Sequence, residues 1–181
     1  MRLFAILLLS VILSSYQDQS KLASAPVEGL KLGDPMADFS ESVYLLTGEE
    51  DIYQQYDWLR KALLKNIKNG IREGIYVGSS MDKVQDQKAT QLTLFFYQKE
   101  LYKVRWSFKK EDFSDLTALG ETLDQFIETK YGPTSEVRPY ASYEWKIWQD
   151  DTYFLQSLGD EDEYQIEYRN ETIHQVVEVL E

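Results

Sequence analysis

Two apolar-rich runs, Gln91 to Tyr97 and Leu101 to Phe108, flank Gln98-Lys99-Glu100. In the second run Tyr102, Val104, Trp106 and Phe108 take the even positions, against Lys103, Arg105 and Ser107 at the odd ones. A period of two sends successive side chains to opposite sides of an extended chain, so the segment reads as an antiparallel hairpin with one face in a core. An isolated hairpin is marginal in water and needs further strands or a helix against that face. The sequence supplies both. Phe113 to Tyr131 carries Phe113, Leu116, Leu119, Leu123, Phe126 and Ile127 at helical spacing, with Asp112 as cap and Gly132-Pro133 as stop. Three strands follow at 142–148, 152–158 and 163–169, turning at Asp150-Asp151 and Gly159-Asp160-Glu161-Asp162, and then a helix from Glu171 to Leu180. Hairpin, helix, three-strand meander and helix predict an α+β domain: an antiparallel sheet with helices packed on one face.

Upstream, Asp34-Pro35 is a helix start that predicts a helix to about Leu45. Ile52, Tyr56, Leu59, Leu63 and Ile67 recur at three and four and predict a second helix, ended by Asn69-Gly70. Residues 71–77 read as a strand, with a helical turn from Ser80. One phrase occurs twice: Gly29 to Phe39, GLKLGDPMADF, returns as Gly74 to Val84, GIYVGSSMDKV. Each copy predicts a short strand, a sharp turn at Gly33 or Gly78, and a helical turn that buries Met36 or Met81. Duplication of a small module and convergence on one kind of turn both account for the recurrence. The phrase resembles the motif that opens the SmpA/OmlA (BamE) outer-membrane assembly lipoproteins, and is similar to that of the β-lactamase inhibitor proteins, which carry tandem copies of a related unit. The resemblance implies a helical hairpin over a small antiparallel sheet, in a small periplasmic interaction domain. The chain departs from the first family in having no cysteine to lipidate.

Met1-Arg2 and the apolar run Leu3 to Leu13 have the form of a signal peptide, and the run is too short to span a bilayer. Ser14 and Ser15 are the expected cleavage point, ahead of the A-x-A-like Ala23-Ser24-Ala25 that Pro26 spoils. The chain divides on this reading into a signal peptide at 1–15, a flexible leader at 16–26 and a single α+β domain at 27–181. The sequence is 43% hydrophobic and 14% aromatic, enough to bury a core without disulfides, which a cysteine-free chain cannot form. Export without cysteine points to a periplasmic or secreted location, with no membrane span after processing. The net charge is −12, and no basic stripe is read as reversing it locally, which argues against nucleic acid and anionic lipid.

Catalytic equipment is sparse. One histidine, His174, cannot build a triad or a histidine metal site, and is read as a surface or capping residue. No glycine-rich phosphate loop or cofactor motif occurs, so no cofactor is expected. Carboxylates are plentiful, and a glycosidase needs only two at a set separation. One constellation remains. If Tyr102, Trp106, Trp145, Ile147, Leu155 and Ile166 face the helices, the other sheet face carries Phe95, Tyr97, Arg105, Lys146, Trp148 and Phe154. Aromatics interleaved with cations are the composition of protein-recognition surfaces, and they also stack on sugars. The sequence therefore points to a non-enzymatic exported binding or assembly domain with a protein partner. A carboxylate-dependent hydrolase, or a binding module, acting on envelope carbohydrate is the alternative.

Overall fold

The computed structural model describes residues 21–140 and 143–181. The expected signal peptide and residues 16–20 of the leader lie outside them. Among the described residues ten strands occur, β1 (Val43–Leu45), β2 (Ile71–Tyr76), β3 (Lys83–Val84), β4 (Gln87–Lys88), β5 (Gln91–Tyr97), β6 (Glu100–Lys109), β7 (Glu136–Tyr140), β8 (Tyr143–Gln149), β9 (Tyr153–Gly159) and β10 (Glu163–Asn170). The helices are α1 (Asp51–Gln55), α2 (Asp57–Lys68), α3 (Leu116–Tyr131) and α4 (Glu171–Leu180). Eight strands form one antiparallel sheet in the order β1-β2-β5-β6-β10-β9-β8-β7, and β3 and β4 pair separately.

The α+β class, the antiparallel sheet and the order of hairpin, helix, meander and helix all hold. The β5–β6 hairpin closes on Gln98 and Lys99, both in the left-handed region at φ 49° and 73°, the backbone that a two-residue hairpin turn demands. α3 begins three residues later than the stripe suggested. Its cap is Asp115, which accepts from the Ala118 amide at 2.9 Å, whereas Asp112 accepts from the Thr90 hydroxyl at 2.7 Å. The expected helix after Pro35 is one 3-10 turn, Met36–Phe39, and Val43–Leu45 then joins the sheet edge. Two β-favouring residues in three, with a free edge to pair, outweigh a good start signal. β7 went unread because Pro139 interrupts it, and it lies at the other edge, where proline costs no ladder bond.

The helices, expected on one face, divide between both. Leu119, Leu123, Ile127 and Tyr131 of α3 pack on the face carrying Val104, Trp106, Tyr164, Ile166 and Leu155. α4 buries Val177 against Phe95, Tyr102 and Ile71 on the opposite face. The leader is also no free leader where it is described. Leu22 and Ala25 are buried in the α3 core, the Tyr168 hydroxyl donates to the Leu22 carbonyl at 2.6 Å, and Tyr131 donates to that of Ser24 at 2.7 Å.

The repeated phrase has no structural counterpart. Gly29 and Gly33 turn the chain at φ 80° and 95°, and a 3-10 turn follows. Gly74 lies inside β2, with no positive φ, and Met81 to Val84 form no helical turn. The second copy uses glycine for space, not for conformation. A Cβ on Gly74 would collide with Val43 and sit 3.1 Å from both the Leu45 side chain and the Tyr44 carbonyl, because the paired strand β1 runs alongside with Leu45 opposite it. Gly74→Ala is therefore expected to cost about 1–3 kcal/mol, the usual effect of overpacking. An unchanged denaturant midpoint would show that β1 is not docked.

Candidate functional site

Strand register decides where the expected partner face lies. Phe95, Lys103, Arg105, Glu167, Arg169, Gln156 and Phe154 share the α4 face, through the pairs Phe95↔Lys103, Arg105↔Glu167, Glu167↔Gln156 and Arg169↔Phe154. Glu167 is their centre. Its Oε2 accepts from Arg105 Nη2 at 2.9 Å and Nε at 3.2 Å, its Oε1 accepts from Arg169 Nη1 at 2.8 Å, and Lys103 Nζ stands 3.9 Å away. Burial alone would push this carboxyl up, but Lys103, Arg105 and Arg169 outweigh it and hold it below the ordinary glutamate value. Burial raises nearby Glu73 instead, although Arg105 and Lys103 oppose the shift. The cations also close over the aromatics. Lys103 Nζ lies 4.1 Å from the Phe95 ring centre, and Arg169 Cζ lies 3.9 Å from that of Phe154.

Of the six expected face residues, Phe95, Tyr97, Arg105 and Phe154 do share a side, but it is not an open surface. Phe95 is 8% exposed beneath α4, Phe154 is buried, and Tyr97 is half-buried against the same cluster. Lys146 and Trp148 belong to the opposite face. Lys146 pairs with Asp124 of α3 at 3.0 Å, and the Trp148 indole donates to the Gly132 carbonyl at 3.1 Å. Trp145 and Ile147, expected against the α3 core, take the α4 side, where the Trp145 indole donates to Gln156 at 3.0 Å. Tyr102 also changes sides. The β5–β6 register slips between Phe95 and Phe96, a bulge that leaves Tyr102 as the extra residue beside Lys103. His174, expected at the surface, is buried. Its ring stacks at 6.5 Å on Tyr102 and its Nε2 lies 3.1 Å from Glu178. Burial, then Arg169 and Lys103, hold it below the ordinary histidine value.

A second site lies between α3 and the β8–β9 end of the sheet. A cavity of about 300 Å³ is lined by Leu116, Gly120 and Tyr164, with Glu121, Asp124, Glu144, Lys146 and Asp160 around it. Gly120 makes room for it: a Cβ there would lie 2.9 Å from the Tyr164 ring. Asp124 is held through both of its side-chain oxygens. Its Oδ1 accepts from Ser157 at 2.6 Å and Tyr164 at 2.5 Å, while Lys146 neutralises Oδ2. Burial first, and then the Asp124 charge, push the Tyr164 hydroxyl well above the ordinary tyrosine value.

The third feature was read from sequence only as a helix. α1 and α2 form an arm beside the β1 edge, and of α2 only Leu63 is buried. Trp58 is 68% exposed, and Tyr44, Ile52, Tyr56 and Leu64 are exposed with it. Trp106 and Trp148 are buried, so Trp58 stands apart from them. Among the described residues no cluster of histidine and carboxylate is arranged to hold a metal ion, and no helix is long and apolar enough to cross a membrane. Comparison with protein-family models, curated proteins and solved structures finds no match to this chain.

Proposed function

We propose that the chain is an exported, non-enzymatic binding or assembly domain with a protein partner in the cell envelope. The observation that carries this reading is the arm: four large apolar side chains, Ile52, Tyr56, Trp58 and Leu64, face solvent along it, and Tyr44 of the neighbouring β1 is exposed too. Tryptophan and tyrosine head the residues that dominate interface energies, and a monomer gains nothing by leaving them wet. The packing of Leu22 and Ala25 supports an export signal that ends after Ser14 or Ser15, since cleavage after Ala25 would strip Leu22 from the core. The cavity beside α3 supports the other reading, a carboxylate-dependent hydrolase or binding module for envelope carbohydrate, with Glu121, Glu144 and Asp160 around an apolar floor.

Immobilised full-length mature chain and its Trp58→Ala variant, incubated with envelope extract, separate the two. A retained protein that the variant loses by about tenfold or more, the scale of a hot-spot truncation, supports the binding reading. Equal retention by both forms removes the arm from it. Loss of an envelope-glycan binding or cleaving activity in Glu144→Gln would favour the second reading.

A further inference from the structure

The arm is chemically unlike the rest of the molecule. Residues 57–72 hold five cations, Arg60, Lys61, Lys65, Lys68 and Arg72, against one anion, Asp57, for a local charge of +4 in a chain of −12. The remainder thus carries −16. The expectation of no local reversal of charge fails here, because α2 collects four of these five cations, with Arg72 following in β2. At 100° per residue, Trp58, Lys61, Lys65 and Lys68 fall within about 40° of the pole opposite buried Leu63. All four are exposed. The helix dipole accounts for Lys65 and Lys68 in the last turn, but not for Arg60 and Lys61 in the middle. Lys65 donates to the Glu181 carbonyl and so tethers the arm to the end of α4. Lys61 pairs with Asp57 at 2.6 Å, but their side chains are 76% and 71% exposed, and such a pair exchanges partners at little cost.

We propose that the outer face of α2 takes an acidic protein segment, with Trp58 seated among the partner's apolar side chains and Lys61 and Lys68 meeting its carboxylates. This rests on the binding reading above and names the partner's chemistry. Charge complementarity selects a protein over a phosphate polymer or a lipid surface. A peptide can confine its carboxylates to the arm, whereas an extended anionic surface also meets the −16 body, from which a Debye length of about 8 Å gives incomplete relief. Complementary charge of this kind acts chiefly on the rate of encounter and on partner choice, and the aromatic anchor supplies the hold.

The test uses the full mature chain and a fluorescein-labelled amphipathic peptide of glutamate, aspartate, leucine and phenylalanine, with a lysine-for-acid peptide as control. The acidic peptide is expected to bind and the basic one not. Raising salt from about 0.1 to about 1 M shortens the Debye length from about 10 to about 3 Å and should weaken binding on the order of tenfold. Lys61→Glu/Lys68→Glu should weaken it comparably and flatten the salt dependence, and Trp58→Ala should weaken it at both salt concentrations. These positions are exposed, so unchanged circular dichroism and melting are expected in both variants. Binding that Trp58→Ala abolishes but charge reversal and salt leave alone would overturn the acidic partner while sparing the arm as a binding surface. Binding indifferent to Trp58→Ala would overturn both. Equal or tighter binding to phosphatidylglycerol-containing vesicles, lost on charge reversal, would replace the peptide by a lipid surface and overturn the proposal.

Discussion

Glu167→Ala is expected to remove about 3–5 kcal/mol of folding stability, the cost of breaking a buried ion network by deleting one partner. The side chain of Glu167 is 6% exposed, and those of Lys103 and Arg169 are 11% and 14% exposed. Without Glu167 two guanidinium groups and the Lys103 amine face one another with no carboxylate between them. Glu167→Gln keeps the shape and one acceptor, and should fall between. The pH dependence has a fixed sign. The folded-state carboxyl lies below its ordinary value of 4.5, so its contribution is complete above that value and is lost as pH falls through the folded one. Denaturant melts of wild type and Glu167→Ala should therefore differ most at neutral pH and converge in acid. A difference under about 0.5 kcal/mol at pH 7 would show that the cations are hydrated and the network is a surface one.

Elements bounded by strong punctuation were legible in the sequence. The meander strands and α4 fall within a residue or two of where turn residues and helical spacing put them. Facing was legible only where one side of a strand is polar. In Trp145-Lys146-Ile147-Trp148 both parities carry an indole, because β8 is packed on both faces, so alternation cannot say which side meets α3. The bulge at Phe95/Phe96 is a second cause. One extra residue reverses the parity of Tyr102 relative to Val104, and no side chain there announces it. The repeat misled for a different reason. Glycine answers two unrelated needs, a left-handed turn at Gly33 and the close approach of β1 at Gly74, and identical letters do not say which. The arm shows the complementary failure. Its apolar spacing is helical, but the one helix expected from Ile52 to Ile67 is two, broken at Tyr56 where the backbone leaves the helical region (φ −124°, ψ 89°), and spacing cannot reveal that only Leu63 finds a core. That depends on how little of the sheet edge remains for α2 once β1 covers it.

Leu123→Ala is expected to cost about 2–5 kcal/mol, and to fall in the upper half of that range. The sequence put Leu123 in the middle of the α3 stripe, against Trp106 or Trp145. The structure leaves it 0% exposed in the cluster that holds Trp106, while Trp145 lies across the sheet. The size of the loss depends on whether neighbours can collapse into the vacated space. Here they are held from both sides. The Trp106 indole donates to the Met81 carbonyl at 3.0 Å, which fixes the ring, and the Tyr164 ring packs so near Gly120 of α3 that even a Cβ there would lie 2.9 Å from it. Asp124, next along the helix, is bonded to Ser157 and Tyr164 of the sheet, so α3 cannot slide inward. A cavity should therefore persist. For a chain of this size each kcal/mol lowers Tm by roughly 2–4 °C, so the melt should shift by roughly 7–20 °C. Leu123→Met, which keeps most of the volume, should cost less than about 1.5 kcal/mol. A Leu123→Ala loss below about 1 kcal/mol, beside a similar value for the methionine variant, would mean that α3 relaxes toward the sheet despite the Asp124 contacts. The cavity beside Gly120 and Tyr164 would then be deformable too, and could not hold a small ligand in one geometry.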